Sequence, residues 1–371
     1  MKEYPLITKK EVRSNKALKR NQKEYHKQHR NVKGRFPKAR ISKMIRLLES
    51  SAFLDLTGKS YDKKEPLMVT REDLLETVCR SDIRGLGGSG FPTYRKLLAV
   101  LNSNAKDKYL IINGVECDPG LLHDAWLLKN RAAELNEGIR LLQDAVPFSR
   151  VILATKDALS AAGKAYEVQV VPDRYPMGAE KLLAEHLLGL KFQSKEIPAE
   201  KGILVINVQT LLTIYEAVCL GRPADSRYLT MADLVSGEAV VIRAQYGTPV
   251  IDIAGKLTDI ASKSTIYFGG GILSGQKASK EDKLTAKTNF ISFGKAVSYD
   301  KDAKCRKCGA CARSCPMKIK VNKIVQAEEK GFTEVSEYRP ELCIKCGTCT
   351  YLCAAGKNTM EIVSAAGEGS L

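Results

Sequence analysis

The chain has 371 residues, 44% of them hydrophobic, enough for two or three domains with ordinary buried cores. No apolar run approaches the length of a membrane span, and the start, M-K-E-Y-P-L-I-T, lacks the apolar core of a signal peptide. A cytoplasmic chain with no transmembrane segment is therefore expected. Against 42 acidic side chains stand 59 basic ones, a net charge of +17 that suits nucleic acid, an anionic membrane surface or an acidic protein partner.

The charge is concentrated at the start: residues 1–50 hold sixteen Lys or Arg and four Glu, so +12 lies there. Large apolar residues are few in this stretch, and a helical period emerges only over Ile41–Leu48. Residues 1–60 read as a basic arm, disordered or wrapped around a partner. At Thr70, T-R-E-D-L-L-E-T-V-C has the form of a helix start, with Thr70 as N-cap and acidic residues in the first turn.

The next stretch, G-L-G-G-S-G-F-P-T over residues 85–93, satisfies G-x-G-x-x-G but follows a helical segment rather than a strand. Two readings stay open. Its exposed amides, the helix start at Pro92 and Lys96 suit a phosphate, and a plain turn explains the glycines equally well.

A buried strand over Lys108–Ile112 runs into N-G-V-E-C-D-P-G at 113–120. Polar and acidic groups at the carboxyl end of a strand lie where open α/β sheets bind ligands, though a solvated turn has the same composition. Helical periodicity follows from Asp124 to Ala145. Strands are expected at Val151–Ala154, Val168–Val171 and Ile203–Ile206, with helices ending at Leu188 and covering Leu211–Cys219. The alternation predicts a mostly parallel sheet covered on both faces.

Near Ser236 the character changes. Glu238–Arg243, Pro249–Ile253 and Thr265–Gly269 read as short strands of a small β-rich module, and Ser274–Thr288 as a polar loop.

The last part of the chain carries the strongest signal. C-R-K-C-G-A-C-A-R-S-C-P begins at Cys305 and C-I-K-C-G-T-C-T-Y-L-C at Cys343. Each has the C-x2-C-x2-C-x3-C spacing of a 4Fe-4S site in which the fourth cysteine crosses to the other cluster. One cluster then takes Cys305, Cys308, Cys311 and Cys353, and the other Cys343, Cys346, Cys349 and Cys315. Structural zinc and disulfides are the competing readings; four cysteines per run with a following proline fit neither well. Of the 11 cysteines, Cys79, Cys117 and Cys219 remain as isolated reduced thiols. Nine basic and two acidic residues lie between Lys295 and Lys323, around the first run. Redox carriers dock through complementary charge, so no nucleic-acid partner is expected.

Taken together, the motifs at 85–93, 113–120, 174–181 (R-Y-P-M-G-A-E-K) and 206–210 (I-N-V-Q-T) resemble the flavin- and NADH-binding subunit of respiratory complex I. They resemble still more the C subunit of the Rnf electron-transport complex and the related cobalamin reductase of propanediol-degrading microcompartments. The resemblance covers roughly residues 75–355. It implies an α/β protein with a Rossmann-like parallel-sheet flavin domain over 61–235, a β-grasp module of the soluble-ligand-binding type over 236–297, and a C-terminal two-cluster ferredoxin domain over 298–371. It also implies FMN, two 4Fe-4S clusters and NAD(H) or NADP(H) as substrate.

Carried over residue by residue, the resemblance places Gly87, Gly88, Gly90 and Lys96 around the FMN phosphate and ring edge. Asn113, Glu116, Glu180 and Asn207 match flavin-pocket positions, and Phe91 and Asp118 lie towards the nicotinamide nucleotide. Two positions depart: Val115 stands where complex I carries an acid, and Ile206 where it has the first of two Asn. No counterpart of the Rnf barrel-sandwich domain is found, and the basic arm stands in its place.

The expected function is electron transfer from NAD(P)H through FMN and the two clusters to a partner reductase or carrier with an acidic surface. The partner is a protein or a larger oxidoreductase complex; the expected place is the cytoplasm, as a soluble electron-input subunit, with a peripheral seat on a membrane complex as the alternative. The alternatives are a corrinoid reductase, and a relay without a nicotinamide site that takes electrons from another protein.

Overall fold

A computed structural model of the chain describes residues 12–14, 48–50, 53–59, 69–116, 118, 120–156, 166–172, 175–193, 196–233, 238–256, 265–293, 303–331 and 334–369. Most of the expected arm, and nearly all of the helical period at Ile41–Leu48, lie outside these residues. So do the expected boundaries at residues 60, 235 and 297.

Two short strands, β1 (Val12–Ser14) and β2 (Leu48–Ser50), pair antiparallel. The strand β3 (Phe53–Asp55), expected to belong to the arm, is instead the edge of a sheet formed much later in the chain. Leu54 is buried there, and the Phe53 ring stacks on Trp126 with centroids 4.6 Å apart, which gives the segment an apolar reason to dock.

The helix α1 (Arg71–Arg80) begins as expected. Thr70 Oγ1 accepts the Asp73 N–H at 3.1 Å, and the Asp73 carboxylate accepts the Thr70 N–H at 3.1 Å, a reciprocal cap. After the glycine loop comes α2 (Thr93–Leu101), then β4 (Tyr109–Gly114). The helical period after residue 123 is two helices, α3 (His123–Asn130) and α4 (Ala132–Ala145), broken at Arg131. Tertiary bonds explain the break. The Arg131 guanidinium donates to Glu134, Tyr228 Oη and Glu216 at 2.7, 2.7 and 3.0 Å, and that convergence outweighs helix continuity.

Strands β5 (Arg150–Thr155), β6 (Glu167–Val170) and β7 (Ile203–Asn207), with helices α5 (Glu180–Leu188) and α6 (Val208–Leu220), complete the unit. The sheet order is β6-β5-β4-β7, every pair parallel. Alternate residues of its strands face opposite sides. Leu110, Ile112, Leu204 and Ile206 pack with α2, α3, α4 and α6, whereas Ile111, Ile203 and Val205 pack with Leu183 and Ala184 of α5. The sheet is thus covered on both faces, as the alternation predicts.

The β-rich module is a six-stranded mixed sheet ordered β11-β10-β12-β8-β9-β3. Its strands after β3 are β8 (Ser226–Asp233), β9 (Glu238–Gln245), β10 (Ile266–Gly269), β11 (Gln276–Lys277) and β12 (Phe290–Phe293). Two expectations fail here. β8 begins at Ser226, upstream of the expected boundary at 236. Pro249–Ile253, read as a strand, opens the short helix α7 (Val250–Ala254), because Pro249 sits at the N-cap and its carbonyl accepts the N–H groups of Asp252 and Ile253.

The C-terminal unit has its own core, formed by Ile319, Val321, Ile324, Val325, Val335 and Val363 with Cys311 and Cys349. Its helices are α8 (Ala310–Ser314), α9 (Val321–Glu328), α10 (Thr348–Tyr351) and α11 (Thr359–Gly367). Among the described residues, no helix is long and apolar enough to cross a membrane.

A candidate flavin cleft walled by a cysteine-lined unit

A cleft of ≈ 1940 Å³ opens at the carboxyl ends of β4 and β7. It is lined by Gly87, Gly88, Phe91, Lys96, Asn113, Glu116, Asp118, Glu180 and Asn207, every expected cofactor residue except Gly90. Gly90 faces the other way. It lines a second cavity of ≈ 1030 Å³, and a Cβ there would come within 2.9 Å of Lys287 Cε.

The glycine loop closes on itself: the Gly85 N–H donates to Phe91 O at 2.8 Å and the Gly90 N–H to Gly85 O at 3.0 Å. The Leu86 N–H is anchored on Thr210 Oγ1 at 2.8 Å. Among the described residues, the N–H groups of Gly87 and Gly88 have no acceptor, and Gly88, at φ +101°, adopts a backbone that favours glycine. Pro92 caps α2 immediately afterwards, and Gly87, Gly88 and Thr93, the first residue of α2, line the same cleft, a set of backbone donors of the kind that suits a phosphate. Lys96 lies behind them. Its Nζ donates to Glu180 Oε2 at 2.5 Å and to Val205 O at 3.1 Å, so this cation enters the cleft already neutralised by its neighbour.

The floor is built by strand ends and one helix start. Asn113 Nδ2 donates to Gly178 O at 2.8 Å, and Asn207 both caps α6 and donates to Asp124 Oδ2 at 2.6 Å. Glu116, at φ +34°, turns its carboxylate onto the first turn of α3, where it accepts the N–H groups of Asp124 and Ala125 at 2.7 and 3.0 Å. Burial, above all, pushes both the Glu116 and the Asp124 carboxyl above the ordinary range, and the negative charge of Glu116 further hinders ionisation at Asp124. Burial holds His123 far below the usual imidazole value, and Arg227 adds to this, so its ring is neutral against Thr230 Oγ1 at 3.1 Å. Asp118 is half-buried as a residue, yet its Oδ1 is fully covered and unpartnered among the described residues. Desolvation pushes its carboxyl up to about 8, opposed by a backbone bond to Ile272.

Several cleft residues were not singled out from sequence. Gly271 of the β-rich module gives room to Asp118: a Cβ there would overlap the carboxylate. The triple glycine at 269–271 was the available signal. Tyr175 lies inside a quoted motif, and its hydroxyl donates to the Cys346 carbonyl at 2.5 Å, joining the parallel-sheet unit to the C-terminal unit. Met317, Ile344, Lys345 and Cys346 of that unit line the cleft itself.

The cysteines fall into two sets. Cys315, Cys343, Cys346 and Cys349 line one cavity of ≈ 330 Å³, and Cys305, Cys308, Cys311 and Cys353 line another of ≈ 370 Å³. None of the eight is in a disulfide. Both runs fold alike: Lys307 and Lys345 have φ +53°, and Gly309 and Gly347, at φ +71° and +75°, cap the short helices α8 and α10. The chain thereby wraps each cavity and presents its sulfurs inward. Burial pushes the Cys311 and Cys349 thiols up to about 12, so a thiolate there requires a cation such as iron beside it. Donor type, count and enclosure fit a 4Fe-4S cluster in each cavity.

Residues 78–216 match the family model of the Nuo51 FMN-binding domain, and residues 304–357 match that of the 4Fe-4S dicluster domain. The chain is similar to the C subunit of the ion-translocating oxidoreductase complex. The Pseudomonas aeruginosa protein is 32% identical over 261 residues, which cover 66% of this chain and 33% of that protein. The Vibrio cholerae protein is 30% identical over 265 residues, 68% of this chain and 34% of that one. At 28% identity over 281 residues, the Rhodobacter capsulatus protein matches 71% of this chain and 53% of its own length. The chain thus spans about a third of the first two relatives, with 33% and 34% of their lengths covered. Among solved structures, a chain of the NAD+-reducing NiFe-hydrogenase in the H2-reduced state shares the fold, with a TM-score of 0.56 at 17% identity over 80% of this chain and 62% of that one. The chain, similar to the Rnf C subunit, therefore combines an α/β flavin-binding type of domain, a mixed-sheet module and a dicluster ferredoxin type of domain.

Proposed function

We propose that the chain passes electrons from NADH or NADPH, by way of FMN in the cleft and two 4Fe-4S clusters, to a protein partner with an acidic surface, as one subunit of a larger oxidoreductase. One observation carries the reading. The cleft and the cavity lined by Cys315, Cys343, Cys346 and Cys349 share a wall made of Met317, Ile344 and Cys346, whereas the cavity of Cys305, Cys308, Cys311 and Cys353 contributes nothing to the cleft. The first cavity is thus proximal to the cleft and the second distal, and electrons follow that order.

When bound, FMN would supply the exchange between a two-electron hydride and single electrons, and the clusters the one-electron relay. The chain's own groups do the rest. The amides of Gly87 and Gly88, in the loop before α2, would hold the phosphate, with Lys96 and Glu180 fixing the wall behind it. Phe91, 38% exposed at the mouth, offers an apolar face to the incoming nucleotide. Asp118, uncharged near neutral pH, keeps a proton at its carboxyl.

A second reading is a relay with no nicotinamide site. It is favoured by Ile206, which lines the cleft with an apolar side chain where the resembled subunit carries Asn; Val115, the other departure, is packed in the core with Leu183 and Ala184. Adding NADH to anaerobically purified protein separates the two. Bleaching of the flavin band is expected; bleaching by dithionite but not by NADH or NADPH would establish the relay, and protein without flavin would overturn both.

A further inference from the structure

The geometry assigns Asn289 as a further ligand of the flavin nucleotide, its Nδ2 donating to the phosphate beside Gly88, and Arg227 as the residue that positions it; this rests on the flavin reading of the cleft above. Both belong to the β-rich module, Arg227 on β8 and Asn289 just before β12, outside the unit that supplies the glycine loop. Arg227 is 1% exposed and Asn289 5%. The guanidinium spans the partition between the two cavities. Its Nη1 donates to Ala286 O at 2.5 Å and its Nη2 to Leu86 O at 3.1 Å, on the side of the second cavity, while Nη2 also donates to Asn289 Oδ1, on the side of the cleft. One group therefore fastens the glycine loop to the module and orients the Asn289 carboxamide. With Oδ1 fixed as the acceptor, Nδ2 is the end that remains to donate. It faces the loop: a Cβ on Gly88 would lie 3.1 Å from it.

Two observations suit that end to an anion. Nδ2 has no acceptor among the described residues, although the backbone of Asn289 is pinned on both sides, its N–H donating to Gly269 O at 2.8 Å and its carbonyl accepting the Thr230 N–H at 3.0 Å. The charge behind it is also left without a carboxylate. Burial lowers the Arg227 guanidinium to about 10, so it stays a cation at neutral pH, and among the described residues its hydrogen-bond partners are three carbonyls and a carboxamide, all neutral. Asp124, whose carboxyl feels that charge, is pushed well above the ordinary range by burial. Lys96 makes the contrast, since Glu180 already pairs it. A buried cation with no counter-ion costs desolvation, and clamping a loop alone could be done by neutral donors. A phosphate held by the Gly87 and Gly88 amides would supply the counter-charge, and the guanidinium would polarise the Asn289 amide towards it. The β-rich module thus takes part in binding rather than only abutting the flavin unit.

The test titrates the full chain, freed of bound flavin, with FMN and separately with riboflavin, which lacks the phosphate, and follows flavin fluorescence; no turnover is involved. Asn289→Asp is nearly isosteric, keeps an acceptor for Arg227 and removes the donor. It should weaken FMN binding roughly tenfold or more and riboflavin binding by less than about threefold. The flavin-free variant should melt no lower than the wild type, because the new carboxylate pairs with Arg227, so a loss of binding cannot be put down to the fold. Asn289→Ala, which adds no charge, should weaken FMN selectively by about threefold or more. Arg227→Lys cannot serve Leu86 and Asn289 with one planar fork and should show the same selective loss. Unchanged FMN affinity in both Asn289 variants, or equal losses for FMN and riboflavin, would overturn the assignment while leaving the flavin reading in place. Wild-type protein that binds neither flavin would overturn the flavin reading itself, and this role with it.

Discussion

The carboxyl of Asp118 sits against Gly271, with Oδ1 sealed from water, and desolvation lifts it to about 8 from an unfolded value near 3.8. Between those two values the folded chain holds a proton that the unfolded chain has released, so stability falls as pH rises across the window and levels off above it. Glu116 and Asp124 are shifted in the same direction, and Asp118→Asn isolates one contribution. Melting of flavin-free protein at pH 5, 7 and 9 should show the variant gaining on the wild type as pH rises, by roughly 2–4 °C for each kcal/mol relieved. A parallel pair of curves would refute the assignment. At this scale the sequence is legible where a residue's chemistry is local: a strand-end Asn or Glu lies where strand ends lie. It is silent where the environment comes from elsewhere, and nothing near residue 118 announces that residue 271 will desolvate it.

At the scale of elements, the two cysteine runs are near copies in sequence, yet their glycines are not equivalent. A Cβ on Gly309 would meet only the end of the Arg313 side chain at 2.8 Å, which can move. On Gly347 it would strike the Leu273 carbonyl, which is backbone of the β-rich module. Both positions are left-handed and share a cost of about 1–2 kcal/mol for any alanine. The difference beyond that cost reads out docking. Gly347→Ala should therefore lose iron to a chelator several times faster than Gly309→Ala, and equal rates would remove the distinction. The parallel strands were readable because β4, β5 and β7 are nearly continuous apolar runs. β8 was not, since S-R-Y-L-T-M-A-D carries polar and charged residues although all eight positions are buried. Arg227 is accommodated at 1% exposure because its guanidinium donates to the carbonyls of Tyr228, Ala286 and Leu86, bonds that no local pattern foretells.

At the scale of the whole molecule, the buried apolar residues form separate groups, and the C-terminal one includes two of the cysteines. Metal removal should therefore act unevenly. Stripping iron anaerobically removes the ions that hold four cysteines at each of two cavities in a small core, and that unit should lose its cooperative transition while the parallel-sheet unit keeps its own. Calorimetry would check this, and a single shared loss of both transitions would show that the units are energetically one. The order of the units was legible in the sequence, because each carries its own motifs. Their contacts were not: Tyr175 on Cys346 and Leu273 on Gly347 join residues far apart in the chain.

The wall of Met317 and Ile344 between the cleft and the proximal cavity has one further consequence. Apart from Cys346, this wall is a thioether and an aliphatic side chain with no exchangeable proton, while the ionisable carboxyls of Glu116, Asp118 and Asp124 all lie on the cleft side. If electrons cross here as proposed, such a partition would leave proton exchange on the cleft side and pass only charge into the cysteine-lined cavity, separating the two particles rather than setting a direction.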